Sequence, residues 1–271
     1  MRATLASPGA ARFGLPVVRH TGDHAMTAQR PLISYDAFVE TAADDPAVVG
    51  LVLKGSRAHE GMTTAHSDHD LYVVLTNGAS TNLTRFAGHR SPELDLVLLS
   101  LDEFRAAGMP GFERYALARA RVVLDRLDGG IARILADKAR LGAEEAFREA
   151  AASLDAYANS LYRSVKNDRD GQALAARLDA ADSVRYLLET LFALDRRPRP
   201  YNKYLVWELT RFPLPDWDTG ALLDAVRHIT ATGDVPAQRR LFAQVEPLVR
   251  RAGHGTVLDA WGKDLRLMRP R

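Results

Sequence analysis

Cysteine is absent from the 271 residues, which removes disulfide staples, zinc–thiolate centres and thiol nucleophiles together. No apolar run approaches the roughly 18 to 20 residues that a membrane span needs. The first 25 residues also lack the continuous apolar segment of a signal peptide. Charge imbalance is missing as well: 36 Lys and Arg oppose 34 Asp and Glu, leaving a net charge of +2. Such a balance gives no support to nucleic acid as an obligatory partner, and nothing points to a membrane. What is present, 46% hydrophobic and 26% charged residues, is ordinary globular composition with enough apolar material for a real core. The reducing cytoplasm is the simplest compartment for such a chain.

Residues 1–25 mix Arg2, Arg12, Arg19 and His20 with Gly and Pro and read as a disordered leader, with translation from Met26 as the alternative. Beyond it, "SYDAFVETAADDP" predicts a short helix capped by Ser34 and stopped by Pro46. The β-branched "AVVGLVLKGS" predicts a buried strand ending in a Gly-Ser turn. "HDLYVVLT", "ELDLVLLS" and "RVVLD" follow as strands, with helical text in "LDEFRAAG", "FERYALARA" and "DGGIARILADKARL". After about residue 140 strand runs cease and the text becomes rich in Ala, Leu and Arg at helical spacing. Phe147, Ala151, Leu154, Ala158, Leu161 and Val165 recur in steps of three and four, which predicts one apolar helix face. The expected fold class is α+β: a small mixed-sheet catalytic domain over 26–140, then an all-helical bundle over 141–271. The boundary is expected inside a helix near 138–145.

The chemistry concentrates in "KGSRAHEGMTTAHSDHDLYVVLT", Lys54 to Thr76. In a strand starting at Asp68, residues 68 and 70 share a face, so two carboxylates stand together where like charges repel. A hard divalent cation with oxygen ligands, most economically Mg²⁺, relieves that repulsion. Asp95 alternates with Leu94 and Leu96 on the next strand and joins the other two if the strands pair. Three such acids suit nucleotidyl transfer, in which bound Mg²⁺ neutralises phosphate charge and one carboxylate takes a proton. Gly55 lets backbone approach a phosphate, and Ser56 can donate from hydroxyl and amide.

"GSRAHEGMTTAHSDHDLYVVL" followed by "ELDLVLL" resembles the signature of the polymerase-beta-like nucleotidyltransferase superfamily. With a helical domain after the catalytic one, the chain resembles the two-domain aminoglycoside nucleotidyltransferases, including streptomycin adenylyltransferase-like proteins. The resemblance implies that Gly55, Ser56 and Ser67 hold the nucleotide, that Asp68 and Asp70 hold Mg²⁺, and that Asp95 is the third acid, metal ligand or base. It also implies ATP or another NTP as donor and a hydroxyl on a small molecule as acceptor, with an aminoglycoside-like antibiotic as the acceptor class it suggests. Two departures stand out. Asp95 is shorter than the Glu common at that position, and His69 occupies a usually aliphatic position, so it is expected to contact a helix rather than metal.

Further candidates lie outside the motif. Lys203, in "PRPYNKYLVWEL", sits at a helix start where the dipole disfavours it, and the resemblance places such a lysine near the triphosphate. Asp179 and Asp182 are nominated to bind a cationic acceptor. His59 and His66 are read as solvated loop histidines, with contact to metal or substrate as the alternative, the Arg163, Lys166, Asn167 and Asp168 cluster as a helix end, and Tyr157, Tyr186, Phe192 and Trp207 as core. Competing functions are an antitoxin-type enzyme placing AMP on a protein, and a catalytically silent nucleotide-binding module. A fused ribonuclease is disfavoured, because no helix of the second half carries the Arg followed after four to six residues by His which that family shows.

Overall fold

The computed structural model describes residues 33–270 apart from 110 and 112, so the leader over 1–25 lies outside the described residues. Strands β1 (Val48–Lys54), β2 (His69–Leu75), β3 (Leu94–Ser100) and β4 (Arg121–Asp125) form one sheet in the order β3-β2-β1-β4. β1 is antiparallel to β2 and β4, and β2 runs parallel to β3.

The period-two alternation divides these strands between two cores. Leu51, Leu53, Leu71, Val73, Leu94 and Leu96 pack with Phe38 and Ala42 of α1 (Tyr35–Asp44). Ser34 caps that helix, accepting from Ala37 N–H as expected. On the other face Val52, Tyr72 and Val74 meet Phe104 of α2 (Leu101–Ala106), Leu117 of α3 (Arg114–Ala118) and Ile131 and Leu135 of α4 (Gly130–Lys138). Gly50 permits this packing, since a Cβ there would lie 2.6 Å from the Ile131 side chain.

Helices and their connections fill the rest of the described chain. The long pair α5 (Ala143–Arg169) and α6 (Ala173–Leu194) is followed by a 3₁₀ turn at Asn202–Tyr204 and α7 (Leu205–Arg211). Then come α8 (Thr219–Thr232), α9 (Val235–Arg251) and two short helices absent from the sequence reading, α10 (Gly255–Asp259) and α11 (Leu265–Met268). The architecture is α+β, a four-stranded mixed sheet followed by a helical region.

Three expectations need correction. Residues 138–145 do not form one helix, because α4 ends at Lys138 and α5 begins at Ala143. There the buried Arg114 donates to the carbonyls of Lys138 and Arg140 and pairs with Glu145, 2.6 Å away, which fixes the break. The apolar stripe of α5 is also rotated at its start: Ala146 and Ala150 are buried, whereas Phe147 is 51% exposed and stacks on His254. Trp207 is not core but half-buried, with its indole N–H donating to the Glu60 carbonyl.

Candidate active site

Lys54, Asp70 and Asp95 stand in one row across three strands, with Asp70 opposite Lys54 on β1 and opposite Asp95 on β3. All three fall on the face of Tyr72 and Val97, at the end of the sheet where β1 finishes and β2 and β3 begin. Asp68 lies one residue before β2, because the strand starts at His69. Burial pushes the Asp70 carboxyl up; Lys54 opposes this, while Asp68 and Asp95 add to it. The upward direction comes first from burial, and Lys54 is the largest charge acting against it.

The turn after β1 is built around that carboxylate. Gly55 adopts φ 72° and ψ −159°, and a Cβ there would lie 2.0 Å from Asp70 Oδ2. Only glycine combines this backbone with this approach. Ser56 and Ser67 are both buried, and the Ser56 hydroxyl donates to Ser67 Oγ over 2.8 Å. Ser67 Oγ also accepts from Thr64 N–H, and Arg57 Nε donates to the Ser67 carbonyl, so the polar loop folds back onto its own start.

His59 lies under this turn. Contrary to the solvated reading, it is 1% exposed. Its Nδ1 is 2.7 Å from the Gly55 carbonyl, which can only accept, so Nδ1 carries the proton. The ring stacks on Tyr204 at 3.9 Å and meets the edge of Trp207 at 4.6 Å. Its Nε2 is 3.3 Å from the Tyr115 hydroxyl, which donates to the buried Glu208. Glu208 in turn receives both Arg119, through two nitrogens, and Arg197. Burial holds the His59 pKa below its ordinary value, against the raising effects of the Gly55 carbonyl and Glu208. His66 is exposed, and His69 stacks on Tyr35 of α1 at 3.9 Å, the helix contact expected of it.

The helical region reaches the acids through the turn at Tyr201–Tyr204. Burial raises the Tyr204 pKa, and Asp70 and Asp68 add to the effect. Burial and Glu113 push Tyr201 up to about 12, with further contributions from Tyr204 and Asp70. Lys203 is exposed, its Nζ 5.5 Å from the Tyr204 ring centre. Asp179 is drawn away into the α5–α6 packing, paired with Arg163 at 3.0 Å and accepting from Asn167.

Sequence reasoning passed over Lys54, Glu113, Tyr72 and Tyr201. Lys54 Nζ lies 3.2 Å from Glu113 Oε1 and 4.8 Å from the Tyr72 ring centre, and the Tyr72 hydroxyl also donates to Glu113. The available signal was a lysine closing an apolar strand directly before a Gly-Ser turn.

Among the described residues no group of three or more His, Asp or Glu side chains is set close enough to hold one ion. Asp95 Oδ2 is 3.2 Å from Arg90 Nε, which engages the third acid. The donor set fits a Mg²⁺ held by one or two carboxylates, with phosphate and water oxygens completing its shell. Asp70 and Asp68 have that chemistry.

No family model matches the chain. No curated protein matches it either. Among solved structures it is similar to a nucleotidyltransferase-like protein from Exiguobacterium sibiricum 255-15, at 13% identity and a TM-score of 0.40, covering 86% of this chain and 76% of that one. Among the described residues no helix is long and apolar enough to cross a membrane.

Proposed function

We propose that this chain is a Mg²⁺-dependent nucleotidyltransferase that moves a nucleoside monophosphate, AMP from ATP in the first instance, to a hydroxyl of a small molecule and releases pyrophosphate. The observation that carries this reading is the row Lys54, Asp70, Asp95 with Gly55 packed directly on the Asp70 carboxylate. A carboxylate with a raised pKa beside like charges and a close-approach glycine calls for a cation and an anionic ligand together. The motif resemblance supplies the reaction class.

In this reading the backbone at Gly55 and the hydroxyl and amide of Ser56 bind the triphosphate, with Ser67 holding Ser56 in place. Asp68 and Asp70 would hold Mg²⁺, which supplies charge neutralisation of the phosphates when bound. Lys54 adds a fixed positive charge beside Asp70, and Lys203 adds a mobile one from the helical side. Asp95 takes the proton of the attacking hydroxyl after exchanging Arg90 for the acceptor. The helical region, 141–271, closes over the cleft and selects the acceptor, while 26–140 forms the catalytic domain.

The test is pyrophosphate release from ATP and Mg²⁺ across a panel of hydroxylated small molecules with an aminoglycoside arm, using Asp70→Asn as control. Acceptor-dependent release, lost in the variant, supports the reading. Nucleotide binding without release from any acceptor would sink it in favour of a silent module.

A further inference from the structure

A cavity of about 460 Å³ lies between α3, α5, α6 and the segment 198–202, and Tyr115 and Asn202 join its wall to the site just described. Its size is that of a small-molecule pocket. Its charged lining is evenly divided, with Arg114, Arg185 and Arg199 against Glu145, Glu149 and Glu189. Four of these six satisfy one another: Arg114 pairs with Glu145 at 2.6 Å and Arg185 with Glu189 at 3.0 Å.

The remaining two charges are left over, and they do not pair with each other. Arg199 spends its terminal nitrogens on the Pro200 carbonyl and on Asn202 Oδ1, its Nε is buried without a partner, and among the described residues no carboxylate forms an ion pair with it. Burial lowers its pKa accordingly, only partly offset by Glu189. Glu149 makes no ion pair among the described residues, and burial together with Glu145 holds its carboxyl above the usual range, opposed by Arg114. A half-buried guanidinium with an unpartnered Nε and an exposed carboxylate, neither in an ion pair among the described residues, share one cavity.

We infer that this cavity binds a zwitterionic small molecule, with its ammonium toward Glu149 and its carboxylate or other anionic group toward Arg199. A ligand carrying both charges satisfies both residues and leaves the cavity neutral. A polycation would meet three guanidinium groups and one uncommitted carboxylate, which is poor complementarity. Identifying this ligand as the hydroxyl acceptor rests on the nucleotidyl-transfer reading; the binding itself does not.

The test uses the full chain without nucleotide and ligand-observed NMR. The probes are glycine, β-alanine and longer ω-amino acids, each beside the amine lacking its carboxylate and the acid lacking its amine. At least one amino acid should bind about tenfold more tightly than both single-charge counterparts, the low end of coupling for close charge pairs. Glu149→Gln should reduce that probe to the level of the matched acid, and Arg199→Gln to the level of the matched amine. Amines or acids binding as tightly as the zwitterions throughout the series, or no binding by any probe, would overturn the inference. If Arg199→Gln fails to fold, the wild-type comparison and Glu149→Gln decide alone. Zwitterion binding together with no pyrophosphate release from any hydroxylated acceptor would leave the cavity standing and remove the transfer reading; release from an acceptor with no zwitterion preference would do the reverse.

Discussion

At Gly55 the backbone takes φ 72°, and a methyl group added to it would overlap the Asp70 carboxylate at 2.0 Å. Gly55→Ala therefore combines the cost of a positive-φ backbone that is nearly glycine-only with overpacking, together about 2–6 kcal/mol. Denaturant titration should show that loss, and nucleotide affinity should fall with it; an unchanged midpoint would mean that the turn relaxes freely. Asp70 gives the opposite sign of stability effect. Its folded pKa is raised, so the native state binds its proton more tightly than the unfolded chain, and this residue's contribution to stability declines as pH rises through the folded pKa. Asp70→Asn removes a buried charge and its repulsion by Asp68 and Asp95, and should raise the melting temperature at neutral pH by about 2–4 °C, the shift that ~1 kcal/mol produces in a domain of this size. That gain should shrink in acid, where wild-type Asp70 takes up its own proton, while pyrophosphate release is lost at every pH. A variant less stable than wild type at neutral pH would show that Lys54 outweighs the neighbouring acids.

The elements that carry the acids were legible because each announces itself locally. β1, β2 and β3 are short, near-continuous apolar runs bounded by polar or turn residues, and the adjacency of Asp70 and Asp95 follows once β2 and β3 pair in register. The unit formed by the turn at Asn202–Tyr204 and α7 was not legible to the same degree. In "YNKYLVWEL" the acid Glu208 reads as one more charge on a helix, yet it is 1% exposed and receives Arg119, Arg197 and Tyr115 from separate parts of the chain. No local spacing encodes a partner 89 residues away. The burial of His59 was missed for the same reason, since a polar loop reads as solvated until Tyr204 and Trp207 cover it. Glu208→Gln keeps the shape of the side chain but leaves Arg119 without its carboxylate and Arg197 with Asp195 alone, a loss of about 3–5 kcal/mol for a broken buried pair. Chemical denaturation should show that loss; a change below about 1 kcal/mol, the scale of an exposed pair, would mean that water already screens the network.

Across the molecule, the loop after β1 and the helical region are held together by a small set of contacts centred on His59. Its ring lies on Tyr204 and against Trp207, Trp207 donates to the Glu60 carbonyl, and Arg211 pairs with Glu60 at 2.9 Å. The proton count in this contact predicts how the whole fold responds to acid. Neutral His59 donates from Nδ1 to the Gly55 carbonyl, and its Nε2 faces a Tyr115 hydroxyl that has one proton for two acceptors. Burial, supported by Arg119 and Lys203, lowers the pKa more than the Gly55 carbonyl and Glu208 raise it. A histidine with a depressed folded pKa contributes stability that is fully present above its ordinary value of 6.5 and is lost as pH falls through the folded value, because the unfolded chain takes up the proton first. His69 and His254 are depressed as well, so wild type alone does not isolate the effect. His59→Phe keeps a ring for stacking and removes the titration, whereas His59→Asn restores a donor near the Nδ1 position. Melting temperatures from neutral pH down toward pH 5 should fall less steeply for both variants than for wild type. At neutral pH, where the lost donor to Gly55 matters, Asn should be the more stable of the two. Parallel pH profiles for all three proteins would place the acid sensitivity at the other histidines and remove His59 as the group that couples the loop to the helical region.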